Sequence, residues 1–191
     1  MTTRVVTPLA ILSYPAIFTP RQNNRGEDQF SAELVFSPEI LNRSKKQGFP
    51  AFADMEAAAK AAAMEKWGTR LPSDLKMPFD ERWAKFGYPE DSIFVRSNSK
   101  QAPGAVKGPS RTVCTVEDAK EFYPGAIVIA ELNASAFDYQ GNKGVKFYLN
   151  QIWKVDDGEK LVAEREAGAA FEGMDLDADA FGVAETTDSL L

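Results

Sequence analysis

The chain has 191 residues, 44% hydrophobic and 11% aromatic, with a net charge of −6; this is apolar material enough for one packed domain with decorations. No apolar run of about 18 residues offers a membrane span, and MTTRVVTPLA lacks the apolar stretch of a secretory signal. With no histidine and one cysteine, Cys114, His bases, His or thiolate metal sites and internal disulfides are excluded, and the cytoplasm is the expected compartment.

In chain order, residues 4–12, RVVTPLAIL, are β-rich and are broken by Pro15 and Pro20. RQNNRGED, residues 21–28, reads as a polar loop. QFSAELVF, residues 29–36, puts Phe30, Ala32, Leu34 and Phe36 on one face of a strand. Ser37-Pro38-Glu39 then has the form of an N-cap with proline at the first helical position. The clearest helix runs from Pro50 to Trp67, alanine-rich and stopped by Gly68. Residues 69–92, with Trp83, Phe86 and Tyr88 among charges and prolines, read as an irregular, partly packed insertion.

From Ser92 to Val116 there is no acidic residue. A short strand at Ile93–Ser97 is expected to lead into a basic loop bearing Lys100, Lys107 and Arg111, followed by a second short strand at Thr112–Thr115. VEDAKEFYPG suggests a helical turn. A long hairpin follows, and the chain closes with a tail rich in Ala, Gly and Asp. The charge divides accordingly. Residues 164–191 hold eight acids against Arg165 alone, a balance of −7, which leaves +1 for residues 1–163. The acidity belongs to one end, attached to a body with a different surface.

The hairpin carries the functional signal. Taking Gly141-Asn142 as a two-residue turn predicts an apolar face with Ala136 opposite Phe147, Ala134 opposite Leu149 and Ala130 opposite Trp153. The other face then carries Phe137, Tyr139, Tyr148, Lys146, Asn150 and Lys154. Flat rings beside cations suit single-stranded nucleic acid: each unpaired base can stack on a ring, worth roughly 1–3 kcal/mol, while lysines neutralise phosphates. The same residues could instead pack under a loop or anchor a protein interface. Strands at both ends of the body and a helix between them fit a small Greek-key barrel, and alternation alone leaves a β-sandwich open.

Three blocks in order carry a family resemblance: LSYPAIFTP at residues 12–20, QFSAELVF, and FYPGAIVIAELNASAFDYQGNKGVKFYLNQIWKVDDGEKL at residues 122–161. Together they resemble the bacteriophage single-stranded-DNA-binding proteins with an OB fold whose described member comes from an Enterobacter phage. The resemblance implies a mostly β fold: a five-stranded OB-fold barrel with inserted α-helix and loops, plus a flexible acidic C-terminal tail. The domain would span residues 1–163, with a helical insertion at about 38–68, and the tail residues 164–191. It implies sequence-tolerant binding of single-stranded DNA in phage replication or recombination inside the infected host. It also implies a tail that competes for the DNA groove or contacts replication proteins, and a homodimer is among the expectations. The tail here ends Ser-Leu-Leu rather than in an aromatic residue, and the basic loop 98–110 is longer than the family pattern.

The expected mode is stoichiometric binding, not catalysis. Phe137, Tyr139 and Tyr148 would stack bases, with Tyr14 in a lesser role; Arg96, Lys100, Lys107, Arg111, Lys143 and Lys146 would contact phosphates; Asn150 would donate to a phosphate or a base edge. No cofactor is expected: there is no EF-hand loop, Walker loop or G-x-G-x-x-G. The competing readings are a phage assembly protein docking through the hairpin and a magnesium-dependent nuclease built on Asp156, Asp157 and Glu159. The Asp156-Asp157-Gly158 run is more simply a turn.

Overall fold

The computed structural model describes residues 3–161. In chain order the elements are β1 (Thr3–Val6), β2 (Ala10–Gln22), β3 (Asp28–Phe36), α1 (Pro38–Lys46), α2 (Phe52–Trp67), α3 (Trp83–Phe86), β4 (Ile93–Ser99), β5 (Gly104–Lys107), β6 (Thr112–Val113), a 3-10 turn (Val116–Glu121), β7 (Ile127–Tyr139) and β8 (Asn142–Asp156). The acidic segment 164–191 lies outside the described residues.

Five strands close into a ring. β2 pairs with β3, β3 with β4, β4 with β8, β8 with β7, and β7 returns to β2 through Ala10 opposite Val128 and Ile11 opposite Ile127. All these pairings are antiparallel except β4 with β8, which is parallel. This is the five-stranded barrel expected of an OB fold. β1 extends the ring beyond β7, and β5 with β6 extends it beyond β8.

Alternation decides what fills it. Leu12, Leu34, Val95, Leu132, Phe147 and Leu149 are buried inside, each on the inward parity of its strand. α2 packs against β1, β7 and β8 through Met55, Ala58, Ala59, Ala62 and Ala63; its alanines let the helix approach closely. Ser37 caps α1 as expected, its hydroxyl accepting from the Ile40 amide at 3.2 Å. Gly68 ends α2, its amide donating to the Met64 carbonyl at 2.7 Å.

The hairpin differs in register from the expectation. Its turn is Gln140-Gly141, both with positive φ (51° and 79°), the pattern a twisted two-residue hairpin favours. Phe137 therefore faces Gly144, and Ala134 faces Phe147. The displacement is an even number of residues, so the inward set near the turn is unchanged. Phe137 supplies a reason: a Cβ on Gly144 would lie 2.7 Å from the Phe137 ring, so the ring needs a glycine opposite it.

A bulge breaks the ladder further on. Leu132 faces Leu149, but Glu131 faces Gln151, leaving Asn150 extra on β8. A regular ladder would bury Gln151 and expose Ile152. The bulge flips them: Ile152 is buried and Gln151 exposed. Trp153, expected inside opposite Ala130, lies outside against Phe49 and donates its indole N–H to the Gly108 carbonyl at 2.9 Å. Beyond the bulge Lys154, expected on the wet face, is only 8% exposed.

The insertion 69–92 has a definite job. β4 and β8 meet at Ser97 opposite Phe147 and Asn98 opposite Tyr148. Nearer their N-terminal ends the chain between them is bridged by residues 76–80: Lys76 pairs with Gly144 on β8, and Asp80 pairs with Phe94 on β4. Trp83, Phe86 and Tyr88 then cover Val35 and Phe94 on the outside of the barrel.

Candidate nucleic-acid interface

The outward face of β8 carries Lys146, Tyr148 and Asn150; that of β7 carries Phe137, Ser135 and Asn133 (by strand alternation). Lys146 sits between two rings, its Nζ 4.6 Å from the Tyr148 ring centre and 5.9 Å from that of Phe137. Both rings are half-buried, held by the ladder and open on one side. At the hairpin tip Tyr139 is 57% exposed, and the Arg25 guanidinium from the β2–β3 loop lies 5.4 Å from its ring centre.

β4 continues this face. Asn98 lies beside Tyr148 in the parallel register, and Arg96 is on the same side of β4 two residues earlier. The Arg96 Nε donates to Glu33 at 2.7 Å, and a second guanidinium nitrogen lies 3.6 Å from Asp80. The same group lies 5.1 Å from the Phe86 ring and 5.2 Å from the Phe94 ring. Glu33 is buried because its needs are met: Tyr88 donates its hydroxyl to it, and the same hydroxyl lies 2.9 Å from Ser13 Oγ. Burial, then the hydrogen bond to Glu33, pushes the Tyr88 hydroxyl pKa well above the usual tyrosine range. The hydrogen bond from Arg82 holds the Asp80 carboxyl below the usual range.

The remaining expected residues are dispersed. Tyr14, 58% exposed, occupies an irregularity of β2 with φ 43°, next to Ser13. Lys100 is exposed just past β4, close enough to Glu27 to help hold that carboxyl low, after the Asn23 hydrogen bond. Lys143 faces Asp138, which puts it on the opposite face of the ribbon from Phe137. Asn150 is engaged: it accepts from Asn133 at 3.2 Å and donates to Glu131 at 3.0 Å.

Lys107 and Arg111 lie elsewhere. On β5 Lys107 faces Lys154, six residues along β8 from Tyr148, about 20 Å at strand spacing. It is paired with Asp118 at 2.8 Å and Glu121 at 3.6 Å. Arg111 lies 5.5 Å from the Trp153 ring. The basic stretch 92–116 is therefore not one loop: β5 splits it, leaving Lys100 at one end and these two at the other.

Lys154 completes a charge cluster on that far side, bonded to Asp157 at 2.7 Å and Glu121 at 3.0 Å. Burial alone would push its pKa down, but these two hydrogen bonds together hold it above the usual lysine value. Asp156 is taken by Arg43 at 2.5 Å. The three acids of the nuclease reading thus do not converge: two are committed to separate cations. Among the described residues no group of three or more His, Cys, Asp or Glu is placed to hold a metal ion. Among them, too, no helix is long and apolar enough to cross a membrane.

Three contributors were not expected from sequence: Arg25, Asn98 and Lys76, whose Nζ donates to Asn142 at 2.8 Å beside the hairpin turn. Arg25 sits in a polar loop, Asn98 looks like any strand residue, and Lys76 lies in the irregular insertion. No local pattern marks them; only the ring closure brings them to this face.

The family model described as the single-stranded-DNA-binding protein of Enterobacter phage Enc34 matches residues 3–181. The chain belongs to this family. Among solved structures, the Enc34 protein in complex with single-stranded DNA superposes with a TM-score of 0.63 at 18% identity, covering 83% of this chain and 89% of that one. A second structure of the bacteriophage Enc34 single-stranded-DNA-binding protein gives 0.61 at 20% identity, covering 88% and 90%. Bacteriophage T7 gp2.5, a single-stranded-DNA-binding protein, gives 0.53 at 13% identity over the whole of both chains. At such identities the likeness of these structures establishes the fold alone. No curated protein sequence matches the chain significantly.

Proposed function

We propose that this chain binds single-stranded DNA without sequence preference, in phage replication and recombination, as a stoichiometric binder rather than a catalyst. The observation that carries the reading is Lys146 held between the half-open rings of Phe137 and Tyr148, in a chain that belongs to the Enc34 family. Bases stack on the rings, and the ammonium group between them meets the phosphate that joins two stacked nucleotides. Tyr139 with Arg25, and Arg96 with Asn98, extend the surface on either side. Tyr14 and Lys100 are peripheral contacts. Asn150, bonded within the bulge, holds the ribbon in shape, and Lys143 lies on the other face of the ribbon. Lys107 and Arg111, far along β8, belong to the packing of that end.

Titration of the full chain with oligo(dT) and with duplex DNA tests the reading. Tyr148→Ala and Phe137→Ala are each expected to weaken oligo(dT) binding by roughly 1–3 kcal/mol. Equal binding of duplex and single strand, or ring variants with unchanged affinity, would contradict it. The acidic segment 164–191, at −7, competes for the same basic surface, so a chain ending at residue 163 is expected to bind oligo(dT) more tightly. Unchanged or weaker binding would discard the competition.

A further inference from the structure

An open groove of about 590 Å³ lies over the segment that bridges β4 and β8. Its cationic lining is Lys76, Arg82, Arg96 and Lys146, with the amide of Asn98 beside them. These residues come from three parts of the chain: the insertion, β4 and β8. Two acids, Asp80 and Glu81, also line it, leaving the cations in excess. Asp80 is already held by Arg82 at 2.5 Å and approached by Arg96 at 3.6 Å.

We propose that this groove is a phosphodiester subsite, carrying the sugar-phosphate backbone of a single strand onward from the ring pair. The proposal rests on the binding function above and adds to it a role for the insertion 69–92, which no motif assigns. Continuity is the first argument. Lys146 belongs both to the ring pair and to the groove, so a strand leaving Phe137 and Tyr148 across β8 enters the groove without a gap. From β7 to β4 is two strand spacings, about 10 Å.

Preorganisation is the second argument. The groove floor is fixed to the barrel by the two backbone bridges at Lys76 and Asp80. The Tyr88 hydroxyl pins the far end of the insertion to Glu33. Arg96 is oriented between the Phe86 and Phe94 rings. The third argument is chemistry. Guanidinium groups present forked donors suited to phosphate oxygens, and Arg82 and Arg96 both line the groove, with Lys76 and Lys146 beside them. A contact made to phosphate is a backbone contact, blind to sequence.

The test is the salt dependence of oligo(dT) binding by the full chain. Each phosphate contact on a single strand adds about 0.7 to the slope of log affinity against log salt. Lys76 and Arg82 are exposed, so K76Q/R82Q is expected to fold and to lower the slope by about 1.4, whereas K45Q/K46Q, at the end of α1, leaves it unchanged. The charge-preserving K76R/R82K should restore the slope; this separates lost phosphate contacts from a disturbed fold. An oligonucleotide of two or three residues, long enough only for the ring pair, should bind K76Q/R82Q and wild type alike. A slope for K76Q/R82Q equal to that of wild type on the long strand overturns the groove while leaving the ring pair standing. Absence of oligo(dT) binding by the wild-type chain overturns the underlying function, and the groove with it.

Discussion

Gly144 lacks a side chain because Phe137 occupies its place. A Cβ there would stand 2.7 Å from the ring and 3.0 Å from the Lys76 carbonyl oxygen, so Gly144→Ala must move either the ring or the backbone bridge. We expect this variant to remain folded and to lose part of the roughly 1–3 kcal/mol that a stacking ring contributes, read by oligo(dT) titration; wild-type affinity would mean that the position of Phe137 does not matter. Gly125 is a stability counterpart. It has φ 115°, and a Cβ would lie 2.0 Å from the Glu159 carbonyl oxygen. Gly125→Ala should cost more than the ~1 kcal/mol typical of such backbone changes, seen as a lower thermal midpoint with DNA binding retained in the folded fraction. Neither contact is legible in sequence. In sequence Gly144 is one of several residues near the turn, and nothing local says which ring will lie over it. Lys154 misled for a related reason: a lysine on a strand usually marks the solvent face, but here Glu121 and Asp157 meet it from another element and from the strand's own end.

At the level of elements, the inward set near the hairpin turn was readable because alternation fixes parity, and an even displacement of register leaves parity intact. The turn itself was not. Gly-Asn and Gln-Gly both sit at the tip, and the choice is made by the Phe137–Gly144 pairing rather than by turn propensity. The bulge at Asn150 was invisible because the run Leu149 to Trp153 offers apolar residues in both parities. β5 was hidden within a basic stretch because its partner, the outer edge of β8, is distant in sequence. The insertion 69–92 is held by Tyr88, and its loss is measurable: Tyr88→Phe removes a hydrogen bond to a buried carboxylate, worth about 1.5–3 kcal/mol. Urea unfolding should show a lower midpoint with an unchanged slope; an unchanged midpoint would mean that the insertion is held by its apolar contacts alone.

For the molecule as a whole, charge organises both stability and binding. The carboxyls of Asp80, Asp118, Glu121, Asp156 and Asp157 are each held below their ordinary values, chiefly by hydrogen bonds from Arg82, Lys107, Lys154, Arg43 and Lys154 respectively. A group lowered in the folded state contributes stability above its unfolded pKa and loses it as pH falls through the folded one. Lys154 and Tyr88, both raised, contribute below their unfolded pKa values and lose that contribution as pH rises through the folded ones. Thermal stability is therefore expected to be level near neutrality and to fall below about pH 4 and above about pH 10. A midpoint unchanged down to pH 3 would show that these pairs add nothing.

The barrel was legible in ordered sequence blocks. The extent of the proposed binding face was not, because ring closure joins strands from opposite halves of the chain. The central claim is that Lys146, between Phe137 and Tyr148, forms the heart of a surface for unpaired DNA. Its most direct test is a fluorescence titration of wild type and of Lys146→Gln with oligo(dT) across a range of salt concentrations. The account predicts steep salt dependence for wild type, with the slope reduced by about 0.7 in the variant. A flat response in wild type, or identical slopes for the two proteins, would contradict it.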